Sequence, residues 1–235
     1  GFLLLKPMHE RMNRLSLVMV QLGLVVVIVG RFGELGQVVA PVGLILTSVG
    51  AGLFIVALRV LEPTNKSVHR IAIGYKRYDW YVRAGFSWLL LGCVMLTLIA
   101  LDEAGLTNAI APQVSLPVMR VLALGFVTNL IFGAASRFIP IFEGADIRYP
   151  RLMDAAFILL TVSVIIRLAF GFSISQIGER ALGFSGASGF IGVIIFATMV
   201  FQVMTQSARD AYAMRVAAFG RVKFEMIRGG PLVPH

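Results

Sequence analysis

The sequence predicts an all-α protein, a polytopic transmembrane helix bundle of about six spans with both termini on the same, cytoplasmic side. Three observations predict it. Hydrophobic residues make up 58% of the 235 residues and charged residues only 14%, which is not the balance of a soluble domain. Six apolar runs are long enough to cross a hydrocarbon layer of about 30 Å, which takes roughly 20 helical residues. Basic residues concentrate in alternate connectors between these runs.

In chain order, the six predicted spans are 15–32, 37–60, 84–101, 116–142, 155–175 and 185–206. Residues 1–14 are interpreted as a basic leader, and residues 207–235 as a basic amphipathic cytoplasmic tail that follows a six-helix transmembrane domain, 1–206. Residues 143–154 and 176–184 are predicted to be short turns.

The connector 61–83 ends in the sequence YKRYDWYVR, which mixes aromatic and charged residues. This mixture is typical of the aromatic belt at a membrane interface. An aromatic and basic ligand patch has the same composition, and we favour the belt.

The distribution of Lys and Arg orients the spans. One side of a six-span arrangement holds 15 of the 21 Lys and Arg residues, and the other side holds only Arg31 and Arg180. By the positive-inside rule, the basic side is cytoplasmic. The net charge of +9 is therefore explained by topology and by anionic lipids as partners. No motif predicts nucleic-acid binding.

The fourth span repeats small or polar residues every fourth position, at Gly125, Asn129, Gly133 and Arg137. This spacing keeps them on about one face of a helix. In lipid, a face of small residues lets another helix approach closely, and polar side chains such as Asn129 find partners across the contact. We interpret the face as helix-packing surface, with a cofactor or substrate contact as the alternative. In the second span, Gly43, Ser48, Gly50 and Gly52 are further close-contact candidates.

Four arginines lie within or at the ends of predicted spans, Arg59, Arg120, Arg137 and Arg167, and the last three are the candidate functional residues. A charge at mid-membrane costs about 2.5–3.5 kcal/mol on insertion scales and is normally directed into protein or water. The partner of Arg167 is left open among backbone carbonyls, Asn129, Gln202, a lipid phosphate, a cofactor's acid group and a neighbouring subunit. Together with Asn129, the three arginines are the candidate contacts for an anion, a lipid or a partner.

The residue types that usually perform chemistry inside a bundle are sparse. His9, His69 and His235 all lie outside the predicted spans, and Cys93 is the only cysteine. None of the 12 acidic residues lies in the middle of a predicted span, so a proton or ion relay is hard to build. We therefore expect no catalytic residue, no metal site and no cofactor bound by this chain alone, and we expect structural lipids.

Two segments carry a resemblance to a known family. YDWYVRAGFSWLLLG (78–92) and MRVLALGFVTNLIFGAASRFIPIFEG (119–144) resemble the NnrS-like proteins, which are haem- and copper-associated membrane proteins distantly similar to the catalytic subunit of haem–copper oxidases. The residues that carry the likeness are Arg83, Trp88, Gly125, Phe126, Gly133, Arg137, Pro140 and Gly144.

The resemblance covers about residues 80–175. The present chain differs from the family at the start of the fourth span. The family tends to have a His at the head of this helix, where the present chain has Met119-Arg120-Val121. Family members also have about twice as many spans. The resemblance therefore implies a reduced bundle that has lost the metal chemistry and serves as a scaffold or accessory subunit.

These observations lead to three functional hypotheses. The first is a non-catalytic integral membrane subunit of a larger complex, such as an electron-transfer or photosynthetic assembly, in a bacterial inner membrane. The second is a small permease or a protein that handles lipids or anions. The third is a haem-associated NnrS-like protein whose ligands come from a partner chain.

Overall fold

The computed structural model describes residues 9–32, 36–60, 77–106, 115–143, 147–171 and 176–227. Within these ranges the protein is all-helical, and six helices are long and apolar enough to cross a membrane, which confirms the predicted fold class. The α-helices are α1 (Glu10–Phe32), α2 (Gly36–Leu58), α3 (Tyr78–Glu103), α4 (Ser115–Arg120), α5 (Thr128–Glu143), α6 (Pro150–Phe170) and α7 (Gln176–Ile227). A π-helical segment, Val121–Val127, joins α4 to α5 within one span.

The sequence located the spans but misplaced several helix ends. Residues 78–83, assigned to a connector, form the first turns of α3, and residues 150–154, assigned to a turn, begin α6. Residues 176–184, also predicted to be a turn, open α7. Hydropathy marks the edge of the hydrocarbon layer, whereas a helix with its backbone bonds made continues among the headgroups. The predictions for residues 1–8, 61–76 and 228–235 lie outside the described residues.

Neighbouring spans run antiparallel and pack largely in chain order. α1 packs along α2, α2 packs on α3, and α3 packs on the span formed by α4, the π-helical segment and α5; that span also contacts α6 and α7. The starts of α1, α3 and α6 therefore share one side of the bundle with the ends of α2 and α5. We call this side the basic side.

The contact between α1 and α2 is made at the level of the backbone. The buried residues of α1 are Ser16, Gly23 and Gly30, which recur every seventh position. A Cβ atom on Gly30 would lie 2.7 Å from the backbone nitrogen of Ala40, so nothing larger than hydrogen fits there.

The facing side of α2 has the same character. A Cβ atom on Gly43 would lie 2.6 Å from the backbone nitrogen of Val27, and one on Gly50 would lie 2.9 Å from that of Val20. Small residues on both helices thus allow the close approach that lets dispersion forces hold transmembrane helices together.

The far side of the bundle joins α1 to α3 through an ion pair. Gly105, at a φ of +71°, ends α3 in the left-handed conformation that glycine adopts without strain. The Leu106 N–H returns to the Leu101 carbonyl oxygen at 3.0 Å, which completes a Schellman-type cap. In the last turn of α3, a Glu103 oxygen lies 2.7 Å from the Arg31 guanidinium at the end of α1.

Two apolar clusters form the core of the described residues. The smaller cluster joins α2 to α3, and the larger one joins α3, α5, α6 and α7. In the larger cluster, the rings of Phe132 and Phe196 stack with centroids 3.7 Å apart. The buried members of the larger cluster are Tyr81, Phe132, Met153, Ala156, Leu160, Phe196 and Met199.

Replacing Gly43 with Ala should lower the unfolding temperature of the protein in detergent, because the added methyl group meets the α1 backbone. Overpacking of this kind typically costs about 1–3 kcal/mol. Gly52→Ala is the matched control on the same helix, since a Cβ at Gly52 meets nothing within 4 Å. Thermal unfolding curves of the two variants that coincide would contradict the backbone-level contact.

Candidate functional site

Most of the polar side chains that contact one another lie between spans, and on the basic side they join α3 to α5 and α6. The Tyr81 hydroxyl is buried and donates a hydrogen bond to the Met153 carbonyl oxygen at 2.6 Å. The ring of Tyr81 meets that of Phe157 edge to face, with centroids 4.8 Å apart. One tyrosine thus holds the start of α3 against the start of α6 by both a hydrogen bond and an aromatic contact.

Arg137, one of the candidate arginines, is held within the chain. Its guanidinium donates a hydrogen bond to the Tyr78 hydroxyl, and its Cζ lies 4.5 Å from the centre of the Tyr78 ring. Arg77 makes a similar pair of contacts just outside α3, with an Asp154 oxygen at 2.9 Å and the Trp80 ring at 5.3 Å. The aromatic belt predicted at this edge therefore also supplies faces on which arginines rest.

The π-helical segment places the small residues of the fourth span against α3. The Thr128 backbone N–H and hydroxyl both reach the Ala123 carbonyl oxygen, the hydroxyl at 3.1 Å. A Cβ atom on Gly125 would lie 2.7 Å from Cγ of Trp88. The side chain of Trp88 therefore occupies the space that Gly125 leaves, at the turn where the helix is widened.

Asn129 is fully buried where α3 and α5 meet. Its Nδ2 donates to the Gly125 carbonyl oxygen of its own helix at 2.7 Å. Its Oδ1 is buried without a hydrogen-bond partner among the described residues. The amide thus bonds to its own helix rather than across the contact, and an unsatisfied buried acceptor of this kind typically costs about 1–3 kcal/mol.

The partner of Arg167 is a serine that the sequence analysis did not single out. The Arg167 Nε donates to the Ser185 hydroxyl at 2.9 Å. Ser185 and Ser163 are both buried, and each hydroxyl lies 2.8 Å from the other residue's carbonyl oxygen. A Cβ atom on Gly189 would lie 2.7 Å from the Ser163 hydroxyl. We call Arg167, Ser163 and Ser185 the serine clasp, because they join α6 to α7.

The three candidate arginines do not form one group. Arg120 and Arg137 lie on the same span, 17 positions apart, which is roughly 25 Å along a helix. Arg167 is in the last turn of α6, at the end away from the basic side where Arg137 lies. Arg120 is half-buried and has no hydrogen-bond or ion-pair partner among the described residues.

The predicted packing glycines differ in how closely they are approached. A Cβ on Gly133 would lie 3.0 Å from Cβ of Tyr81, and Gly125 and Gly50 are as tightly enclosed. Gly52 has no such neighbour within 4 Å. The close approach at Gly43 was predicted, but those at Gly23 and Gly30 were not, although the seven-residue spacing of small residues in α1 was visible in the sequence.

Among the described side chains, no acidic or imidazole group is buried. Within the described ranges, no group of three His, Cys, Asp or Glu side chains is close enough together to hold a metal ion. His9 is exposed just before α1, and the other two histidines, His69 and His235, lie outside the described residues.

Comparison of the chain with protein-family models, curated proteins and solved structures finds no match. The fold alone therefore defines the class: an integral membrane protein, in which six helices of the described residues are long and apolar enough to cross a membrane.

Replacing Ser185 with Ala should weaken the contact between α6 and α7, because Arg167 and Ser163 both lose a partner. We expect a loss of about 1–2 kcal/mol in the free energy of unfolding, the scale of hydrogen bonds between membrane helices. Steric trapping in bicelles would measure it. The control is Thr198→Ala, since the exposed Thr198 hydroxyl bonds only within α7. Equal stabilities for the two variants would show that the clasp does not hold the helices.

Proposed function

We propose that the chain is a non-catalytic integral membrane subunit, a scaffold or accessory component of a larger membrane complex. The observation that carries this proposal is that polar side chains between the spans form hydrogen bonds that join one helix to another. Arg167 bonds to Ser185 between α6 and α7, and Tyr81 bonds to Met153 between α3 and α6. Arg137 and Tyr78 join α5 to α3. Groups that a transporter would direct at its cargo are here occupied in fixing helices to each other.

The surface that such a subunit would offer to partners supports the proposal. α1 packs mainly along α2, and most of the rest of its circumference is exposed and apolar. Its large exposed side chains are Leu15, Leu17, Val18, Leu22, Leu24, Val25, Ile28, Val29 and Phe32. A neighbouring transmembrane helix or lipid covers such a surface equally well in the bilayer.

α7 supplies a second surface outside the membrane. The apolar span ends at Gln206, and the same helix continues to Ile227. These 21 further residues add roughly 30 Å of helix, and their sequence contains Arg209, Arg215, Arg221 and Lys223. A helical extension of the last span with this basic sequence suits docking onto an acidic partner or an anionic membrane surface.

The proposal also covers the membrane in which the chain lies, the complex to which it belongs and the molecules that it binds. In this proposal both termini lie on the cytoplasmic side of a bacterial inner membrane, and the concentration of Lys and Arg in alternate connectors supports that orientation by the positive-inside rule. The resemblance to NnrS-like proteins favours an electron-transfer or photosynthetic complex as the assembly. In this proposal the chain holds structural lipids but no cofactor of its own.

The second candidate, a small permease or an anion- or lipid-handling protein, is favoured by one observation. Arg120 lies half-buried in a transmembrane span without a partner among the described residues, as a group awaiting an anion would. The other two arginines that would line such a route, Arg137 and Arg167, are engaged within the chain.

The two candidates differ in what happens when Arg167 loses its charge. A tagged Arg167→Gln variant should lose stoichiometric partners on native gels followed by mass spectrometry, because the α6–α7 contact is weakened. Arg180→Gln, which removes an exposed charge near the start of α7, should keep them. Lost anion or lipid uptake with assembly intact would instead favour the permease.

The isolated chain should show no stoichiometric Soret band in its absorption spectrum. A stoichiometric Soret band that persists in the purified protein when partner subunits are altered would contradict the scaffold proposal. It would indicate a haem-binding function instead.

A further inference from the structure

A polar groove opens on the basic side of the bundle, apart from the contacts between spans. It lies between residues 147–149, which lead into α6, and the face of α7 from Met199 to Arg209. Its volume is about 400 Å³, which accommodates a headgroup rather than a single ion. We call it the basic groove.

The rim of the basic groove is made of hydrogen-bond donors. Its polar residues are Arg148, Tyr149, Gln202, Thr205, Gln206 and Arg209. Two guanidinium groups give a charge of +2, and none of the described residues that line the groove carries a carboxylate. Neither arginine has a hydrogen-bond or ion-pair partner among the described residues; Arg148 only rests over the ring of Tyr149 at 5.5 Å. Paired guanidinium forks with amide donors match the oxygen atoms of a phosphate group.

The inner wall of the basic groove is apolar. Ile147, Met199 and Val203 line it, and the last two are each only 4% exposed. The groove also sits where two spans leave the hydrocarbon layer, since α6 begins at Pro150 and the apolar part of α7 ends at Gln206. A ligand there meets donors on its aqueous side and hydrocarbon on the other side.

We infer that the basic groove binds a phosphate group, and that an anionic phospholipid is the molecule that carries it. Arg148 and Arg209 bind the phosphate oxygens, Gln202 and Gln206 contact the headgroup, and the acyl chains run along the apolar wall into the bilayer. Inorganic phosphate shares the anion contacts but makes no use of that wall. The site does not depend on whether the chain is a scaffold subunit.

The test uses the delipidated full chain in a neutral detergent, titrated with phosphatidylglycerol or phosphatidylcholine and followed by native mass spectrometry. The wild-type protein should prefer phosphatidylglycerol. Arg148→Gln together with Arg209→Gln should weaken its binding about 25-fold, since each basic residue at an anionic lipid surface contributes a factor of about five. The control, Arg11→Gln together with Arg151→Gln, removes two exposed charges on the same side outside the groove and should bind as the wild type does.

A second variant tests the groove without changing the charge. Gln206→Trp fills the opening and keeps both arginines, so it should also weaken binding of phosphatidylglycerol. Titration calorimetry with inorganic phosphate distinguishes a site for a phospholipid from a site for free phosphate. Binding of phosphate without any preference for phosphatidylglycerol would assign the site to the free anion.

Lipid binding that is unchanged in both groove variants, or weakened equally in the control, would overturn the inference. Unfolding temperatures that match the wild type in all variants establish that any loss of binding arises at the groove and not from misfolding.

Discussion

The contact of α1 with α2, backbone against backbone, is the constraint on which the rest of this structure depends. Lipid is as apolar as a leucine side chain, so burial of hydrocarbon does not bring membrane helices together. Gly23, Gly30 and Gly43 remove the side chains that would keep the two backbones apart. α2 in turn packs on α3, so α2 attaches this close pair, the first two spans, to the remaining spans.

The other spans are joined by side-chain hydrogen bonds, whereas α1 and α2 are held by close backbone contact. The Tyr81 hydroxyl donates a hydrogen bond to the Met153 carbonyl oxygen. The Ser185 hydroxyl accepts a hydrogen bond from the Arg167 guanidinium and donates one to the Ser163 carbonyl oxygen. Each of these bonds joins two helices, at opposite ends of the bundle. A polar side chain in hydrocarbon has few alternatives to such a partner, which is why Arg137 and Arg167 are engaged inside the chain.

Much of the fold could be predicted from the sequence, and the details of the site could not. Long apolar runs identify spans because only length and hydropathy matter for crossing a membrane, and the four-residue recurrence of Gly125 and Gly133 indicated a packed face. The partner of Arg167 was missed because Ser185 is a small, common residue, and only the packing of α7 on α6 brings it next to Arg167. The π-helical turn beside Trp88 has no sequence signal of its own. The heptad spacing of Ser16, Gly23 and Gly30 was a readable signal of close packing.

The most direct test of this account is a distance inside the membrane. Solid-state NMR on protein in lipid bilayers, with ¹³C labels at the Cα atoms of Gly30 and Ala40, measures it without altering a residue. A Cβ built on Gly30 lies 3.1 Å from the Ala40 Cα, and a carbon–carbon bond adds about 1.5 Å, so the two Cα atoms should give a strong correlation within about 5 Å. Absence of this correlation, with the two Cα atoms too far apart to couple, would contradict it.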